Sequence, residues 1–311
     1  MSAGGGTKAI LAALSANAGI AVAKFGGFLF TGSSSMLAES VHSVADTANQ
    51  GLLLVGKKTS QRKPTEEHPF GYGRDRFFYS FVVALLLFSL GSVFALYEGF
   101  HKIEHPEPLT SPLIAVVILL IAIGLETYSF RTAIKESREL KGGLSWWQFI
   151  RQAKTPELPV VLLEDAGALL GLVFALGGVG LSVLTGNPVF DGIGTMGIGV
   201  LLGVIAVVLI VETKSLLIGE GAAPAVLDDI VAGLRGDRVR KVIHIRTQYL
   251  GPDELLIAAK IELEPSLPVA DVALEIDAAE ARVREKVPAA KLIYLEPDLD
   301  RTAEQKTAKQ D

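Results

Sequence analysis

The sequence contains no cysteine among its 311 residues. Disulfide bonds and thiolate metal ligands are therefore excluded. The sequence also lacks a glycine-rich P-loop, so it does not predict ATP as an energy source. The net charge of −5 gives no excess of basic residues of the kind that binds nucleic acid. The first residues, MSAGGGTK, lack the features of a signal peptide, so the first apolar stretch is expected to remain in the protein.

Charged residues are scarce in long stretches of the first two thirds of the chain. Half of all residues are hydrophobic, and the mean hydropathy is +0.41. A helix that crosses a bilayer needs about 20 mostly apolar residues. Six segments of this kind predict six membrane spans: 9–30, 35–57, 77–100, 112–135, 157–184 and 190–211. The second and fifth segments are the least hydrophobic because they carry ionisable residues.

Lysine and arginine are concentrated in the connections between spans two and three and between spans four and five. Those residues are Lys57, Lys58, Arg62, Lys63, Arg74, Arg76, Arg131, Lys135, Arg138, Lys141, Arg151 and Lys154. The opposite connections contain one basic residue, Lys102. The positive-inside rule therefore predicts that both termini lie in the cytoplasm or its topological equivalent. The short N-terminal segment favours a prokaryotic plasma membrane.

Two ionisable residues lie four positions apart in the second predicted span. They are His42 and Asp46. Helix geometry places positions i and i+4 on one face, one above the other. An ionisable side chain at membrane depth is costly and marks a functional site by default. Imidazole and carboxylate at this spacing offer two ligands to a divalent metal ion.

Three further carboxylates are predicted at a similar depth. A rise of about 1.5 Å per residue puts Glu164 of span five and Glu126 of span four in the middle third of the membrane, close to Asp46. Asp165 is adjacent to Glu164 but points about 100° away, so it is either a second ligand or a cap to another helix. No lysine or arginine is expected at this depth, which leaves a bound cation or protons to balance the charge. Polar pairing between helices is the alternative interpretation, above all for Glu126.

The chain after the sixth predicted span has the pattern of a small α+β domain. A helix over 224–234, strands over 239–249 and 255–263, a helix over 269–287 and a strand over 291–295 are predicted. This order fits a two-layer domain of ferredoxin-like type. The expected organisation is a six-helix all-α membrane domain over 1–211, a cytoplasmic domain over 212–300 and a disordered tail over 301–311. A domain of about 80 residues is marginal alone, so dimerisation is expected.

Several motifs together resemble the cation diffusion facilitators, in particular the branch that contains zinc transporter nine. They are SSSMLAESVHSVADTANQ in span two, HPFGYGRDR in the following loop, HKIEHPEPL after span three, LLED in span five, GNPVFDGIG at the start of span six and YLEPD near the end. The resemblance spans nearly the whole chain. It implies a homodimeric exporter with six spans that moves Zn²⁺ in exchange for protons. It implies no enzymatic reaction.

The resemblance also implies a metal site shared between spans two and five. The family pair in span two is present as His42 and Asp46, but span five departs from the family pattern. Glu164 stands where the family has histidine, and Ala168 stands where it has aspartate. A site with one histidine and several carboxylates also suits Mn²⁺. Glu126 is the candidate for the missing ligand.

Two other functional classes remain open at this point. The departure at Ala168 allows a membrane protein that binds metal, or regulates a partner, without transporting. A proton-coupled carrier for an organic solute is the other alternative, but the spans lack the aromatic and cationic contacts that such a substrate needs.

Overall fold

The structure is a computed structural model that describes residues 7–31, 34–106 and 112–300. Within these residues the chain forms two compact units. One comprises the described residues of Met1–Pro64 and Arg74–Lys214, and the other those of Thr65–Gly73 and Ser215–Asp311. The predicted tail over 301–311 lies outside the described residues, so that expectation remains a prediction.

The first unit is helical throughout its regular structure. Its helices are α1 (Thr7–Thr31), α2 (Ser34–Thr59), α3 (Asp75–Leu86), α4 (Phe94–Glu104), α5 (Pro112–Lys141), α6 (Trp146–Gln152), α7 (Glu157–Thr185) and α8 (Val189–Ile218). A π-helical segment, Leu87–Val93, joins α3 to α4 without a break. In the described part of the chain, five helical stretches are long and apolar enough to cross a membrane: Thr7–Gly26, Asp75–Glu104, Leu113–Lys141, Glu157–Thr185 and Val189–Ile218.

The surface of this unit exposes many large apolar side chains, more than is usual for a domain surrounded by water. Val22, Leu113 and Leu184 are 72%, 76% and 83% exposed, and similar side chains occur along every one of the five apolar stretches. Contiguous exposed apolar surface of this kind marks contact with a membrane or a partner. Together with the span lengths, it identifies an integral membrane protein.

One end of the bundle is sealed by a well-packed apolar core. We call it the basic end, because it contains the Lys- and Arg-rich end of α2, the start of α3 and the α5–α7 connection. The core residues include Ile10 of α1, Leu53 of α2, Val83 of α3, Leu158 and Val161 of α7, and Leu209 of α8. The helix α6 adds Phe149 to this core, and Ser145 and Gln148 cap its first turn reciprocally. The helix α6 is not apparent from the sequence, because seven residues are too few to show a helical period of apolar residues.

Glycines allow α8 to approach α4 and the π-helical segment closely. A Cβ atom at Gly199 would lie 2.8 Å from the backbone nitrogen of Leu96, and one at Gly203 would lie 2.7 Å from Ser92 Oγ. The Ser92 hydroxyl donates to the Gly199 carbonyl at 2.8 Å. Small residues are the usual means of close packing between membrane helices.

The second unit contains a three-stranded sheet and two helices. Its elements are α9 (Pro224–Leu234), β1 (Val239–Gly251), β2 (Glu254–Leu263), α10 (Val269–Lys286) and β3 (Ala290–Pro297). The strand order is β1-β2-β3, with β1 antiparallel to β2 and β2 parallel to β3. The predicted order helix–strand–strand–helix–strand is confirmed. Its core combines Ile230 and Leu234 of α9, Ile257 of β2 and Val283 of α10, all with no exposed surface.

The connection between α2 and α3 belongs to the second unit. In this loop the rings of His68 and Tyr72 stack at 4.6 Å, and the Thr65 hydroxyl lies 3.2 Å from the Tyr72 hydroxyl. A Cβ atom on Gly73 would lie 2.6 Å from the carbonyl oxygen of Leu250, at the end of β1. The loop is therefore a compact structural turn packed against the β1–β2 hairpin.

We expect Gly199→Ala to destabilise the bundle by about 1–3 kcal/mol, because the added methyl group overlaps backbone atoms of Leu96. Gly177→Ala is the matched control, because a Cβ atom at Gly177 meets nothing within 4 Å. Unfolding by titration with sodium dodecyl sulfate in mixed micelles measures both variants. Equal stability of the two variants would contradict the close approach of α4 and α8.

Candidate metal centre

The helix α2 carries the predicted histidine–aspartate pair. Both His42 and Asp46 lie within the continuous helix Ser34–Thr59, as the spacing requires. The Asp46 side chain is half-buried. The side chain of His42 lies outside the described part of the structure, so its role as a ligand remains a prediction.

Glu164 of α7 bonds to a side chain of α2 that the sequence analysis does not single out. Gln50 Nε2 donates to Glu164 Oε2 at 2.5 Å. Gln50 has no exposed surface, and Glu164 is 7% exposed. Gln50 lies one helical turn from Asp46, so the contact places Glu164 beside the same face of α2. In the sequence, the position of Gln50 four residues after Asp46 could have indicated that it lies beside the site.

Asp165 is buried between α5 and α7. Ser129 Oγ donates to Asp165 Oδ2 at 2.6 Å, and both residues are at most 1% exposed. This bond joins α5 to α7 through a side chain in the middle of α5, so it does not cap that helix. The role of Asp165 as a metal ligand remains a prediction.

Glu126 of α5 completes the group of acidic side chains. It is 4% exposed, and the negative charges of Asp165 and Asp46 act on it. Repulsion from Asp46, Asp165 and Glu126 likewise acts on Glu164. The four carboxylates from α2, α5 and α7 therefore occupy one electrostatic neighbourhood.

The expectation that no lysine lies at this depth is wrong. The positive charge of Lys24, in α1, acts on Glu126. The apolar run around Lys24 obscures this residue, because α1 as a whole is hydrophobic enough to span a membrane. One lysine balances at most one of the four carboxyl groups, so protons or a cation are needed to neutralise others.

The carboxylates are neighbours without forming a closed metal site. Among residues whose side chains are described, no three from His, Asp and Glu lie close enough together to hold an ion. His42 is outside that set. The arrangement supplies ligands of the right kind on three helices, and small movements of those helices change the distances between them.

The basic end contains a buried ion pair that the sequence analysis misses. Arg76 of α3 donates from Nε and Nη2 to both carboxylate oxygens of Glu157, the Nη2 bond being 2.9 Å long. The two residues are 8% and 1% exposed. In the same region, Lys57 donates to the Thr7 hydroxyl and thereby joins α2 to α1. These bonds hold the helix ends together around the apolar core.

Residues 10–218 match the family model described as the cation efflux transmembrane domain. The chain belongs to the cation efflux family. This confirms the resemblance to cation diffusion facilitators and to the zinc transporter nine branch. The matched range contains the whole candidate metal centre and the basic end.

Individual relatives agree with this assignment. The chain is 35% identical over 240 residues to a protein of Xenopus laevis named proton-coupled zinc antiporter SLC30A9, mitochondrial. It is 31% identical over 265 residues to metal tolerance protein C4 of Arabidopsis thaliana. The alignments cover 76% and 84% of this chain but only 43% and 58% of those relatives, so the chain spans about half their length. A solved nickel form of the MamM C-terminal domain is similar over 24% of this chain and 96% of its own, with 27% identity and a TM-score of 0.23.

We expect Glu157→Leu to lower the free energy of unfolding by about 3–5 kcal/mol, because it removes the carboxylate that balances a buried guanidinium. Arg76→Met combined with Glu157→Leu should recover most of that loss. Titration with sodium dodecyl sulfate measures the single and double variants. Arg284→Met is the control, because it removes a surface ion pair with Glu280 in which the Arg284 side chain is 46% exposed. This change should cost less than about 1 kcal/mol. Additive effects at Arg76 and Glu157 would contradict the pairing.

Proposed function

We propose that this protein exports divalent metal ions, principally Zn²⁺, in exchange for protons. The observation that carries the proposal is the group Asp46, Glu126, Glu164 and Asp165, four acidic side chains from three helices whose charges act on one another. Carboxylates in a membrane interior persist where a cation, protons or a partner neutralises them. Membership of the cation efflux family supports a metal cation as that substrate.

The proposal includes six spans, namely the five apolar stretches and α2. The helix α2 has 26 residues, enough to cross the membrane, and its low hydropathy comes from the polar residues that would form the site. The basic connections lie on the side of α2 that ends with Lys57 and Lys58. By the positive-inside rule this side, with both termini and the C-terminal unit, faces the cytoplasm or its equivalent. The prokaryotic plasma membrane remains a prediction.

We further propose that the C-terminal unit is a ferredoxin-like domain that dimerises. Its mixed sheet with two helices is compatible with that fold. Val269, Leu274 and Tyr294 are 86%, 64% and 56% exposed in the single chain. Apolar surface of this kind on a small domain is stabilised by association with a second copy.

The proposed mechanism is alternating access. The ion reaches His42, Asp46 and Glu164 from the side of the basic end and displaces protons there. A change in helix packing then opens the site to the opposite side. Protons return to the ligands and weaken the binding, because metal ligands must be deprotonated. The transported ion is released when protons outcompete it.

Two alternatives have specific observations behind them. The donor set is rich in oxygen, which favours Mn²⁺, and to a lesser degree Co²⁺ or Fe²⁺, over a strictly zinc-selective site. Ala168, where the family has a metal-binding aspartate, favours a membrane protein that binds metal or regulates a partner without transport.

Purified proteoliposomes with an acidic interior should accumulate Zn²⁺, because protons leaving the vesicle drive the ion inward. Asp46→Asn removes a ligand charge and should abolish that accumulation while leaving the protein folded. Mn²⁺, Co²⁺ and Cd²⁺ are compared under the same gradient. Binding of ions without accumulation of any of them would establish the non-transporting alternative.

The roles of Glu126 and Asp165 are separated by two amide substitutions. Asp165→Asn keeps an acceptor for the Ser129 hydroxyl, so we expect transport to be retained at near the original rate. Glu126→Gln removes a charge from the site and should lower the apparent affinity for Zn²⁺ about tenfold. Initial rates of Zn²⁺ uptake against concentration measure both. Unchanged uptake in Glu126→Gln would remove that residue from the site, and loss of uptake in Asp165→Asn would make Asp165 a ligand.

A further inference from the structure

Gln50 is a buried polar residue of α2 that contacts Glu164 and has no part in the proposed site so far. It follows Asp46 by four residues and His42 by eight, so the three share one face of the helix. It has no exposed surface, and the apolar core begins three residues further along α2, at Leu53. Gln50 therefore occupies the boundary between the site and the sealed basic end.

The contact between Gln50 and Glu164 leaves two oxygen atoms without a donor. Gln50 Nε2 donates to Glu164 Oε2, but the Oε1 atoms of both residues are buried and accept no hydrogen bond. Four buried side-chain atoms lack a partner among the described residues, and the other two are the hydroxyl oxygens of Ser80 and Ser137. A hydroxyl group can rotate to donate, whereas an amide oxygen and an ionised carboxylate only accept. A single cation, or one water molecule that donates twice, can satisfy both Oε1 atoms, and a cation is the partner that the proposed function supplies.

We propose that Gln50 is a ligand and a specificity-determining residue of the ion site, which extends the proposed function. Its carboxamide oxygen binds the transported ion, and its amide group holds the carboxylate of Glu164 in position. A neutral oxygen ligand suits Mn²⁺, whereas imidazole suits Zn²⁺. Gln50 thus widens the range of accepted ions beyond that of a site rich in histidine. A purely structural glutamine would instead join α2 to α7 and leave the choice of ion unaffected.

The test measures dissociation constants of Zn²⁺ and Mn²⁺ for the full chain in detergent by titration calorimetry. Gln50→Leu should weaken binding of both ions about 10- to 100-fold, the range found when groups that support a metal site are removed. Gln50→His exchanges oxygen for imidazole at similar size, so it should weaken Mn²⁺ binding and retain Zn²⁺ binding. Thr47→Val is the matched control. The Thr47 hydroxyl donates to the Ser43 carbonyl within α2, and its loss should leave both constants unchanged.

The outcomes separate this inference from the proposed function. Wild-type protein that binds Zn²⁺, with Gln50→His failing to change the ratio of the two dissociation constants, would overturn the ligand role and leave the exporter intact. Gln50→His keeps the inference testable if Gln50→Leu does not fold, which thermal unfolding of each variant detects. Absence of Zn²⁺ and Mn²⁺ binding in the wild-type protein would overturn both proposals.

Discussion

The burial of like charges between α2, α5 and α7 is the constraint on which the rest of the structure depends. Three of the four acidic residues are less than 10% exposed, and their negative charges act on one another. In a medium of low polarity this arrangement is unfavourable unless hydrogen bonds and opposite charge offset it. Ser129 and Gln50 each donate to one carboxylate, and Lys24 contributes one positive charge. Protons or a bound cation can neutralise the remaining carboxyl groups, and competition between the two is what the proposed exchange requires.

The packed core of the basic end separates the proposed site from the surface on one side of the bundle. Leu53 follows Gln50 by three residues on α2, and Val161 precedes Glu164 by three on α7. Both belong to the apolar core, which the Arg76–Glu157 ion pair borders. Among the described residues, this core presents apolar side chains and no ligands to an ion. In the proposed alternating-access cycle this end has to open, and separating α3 from α7 would break the ion pair at a cost, because each charge would lose its buried partner. The pair therefore stabilises the sealed arrangement against the alternative.

Much of this organisation could be predicted from the sequence, since hydropathy and helical spacing act over long segments. The spacing of His42 and Asp46, and the depth of Glu164 and Glu126, follow from a fixed rise per residue. Pairings between distant residues do not follow in this way, so Arg76–Glu157 and Gln50–Glu164 appear only in the structure. The influence of Lys24 on Glu126 is not apparent from the sequence, because one charge within an apolar helix hardly lowers the mean hydropathy of that helix. The five apolar stretches among the described residues do not include α2, whose polar residues lower its mean hydropathy.

A site that transports must bind its ion well enough to admit it and weakly enough to release it. Four carboxylates with no compensating charge would hold a divalent ion too firmly, and protons would then compete poorly. In the proposed site, Lys24 offsets part of the negative charge, and a neutral amide at Gln50 would add a ligand without adding charge. Ala168, at the position where the resemblance implies an aspartate ligand, would act in the same direction by leaving one charged ligand out of α7. These three features point to a site whose affinity is moderated by its net charge, so that protonation of a few ligands is sufficient to release the ion.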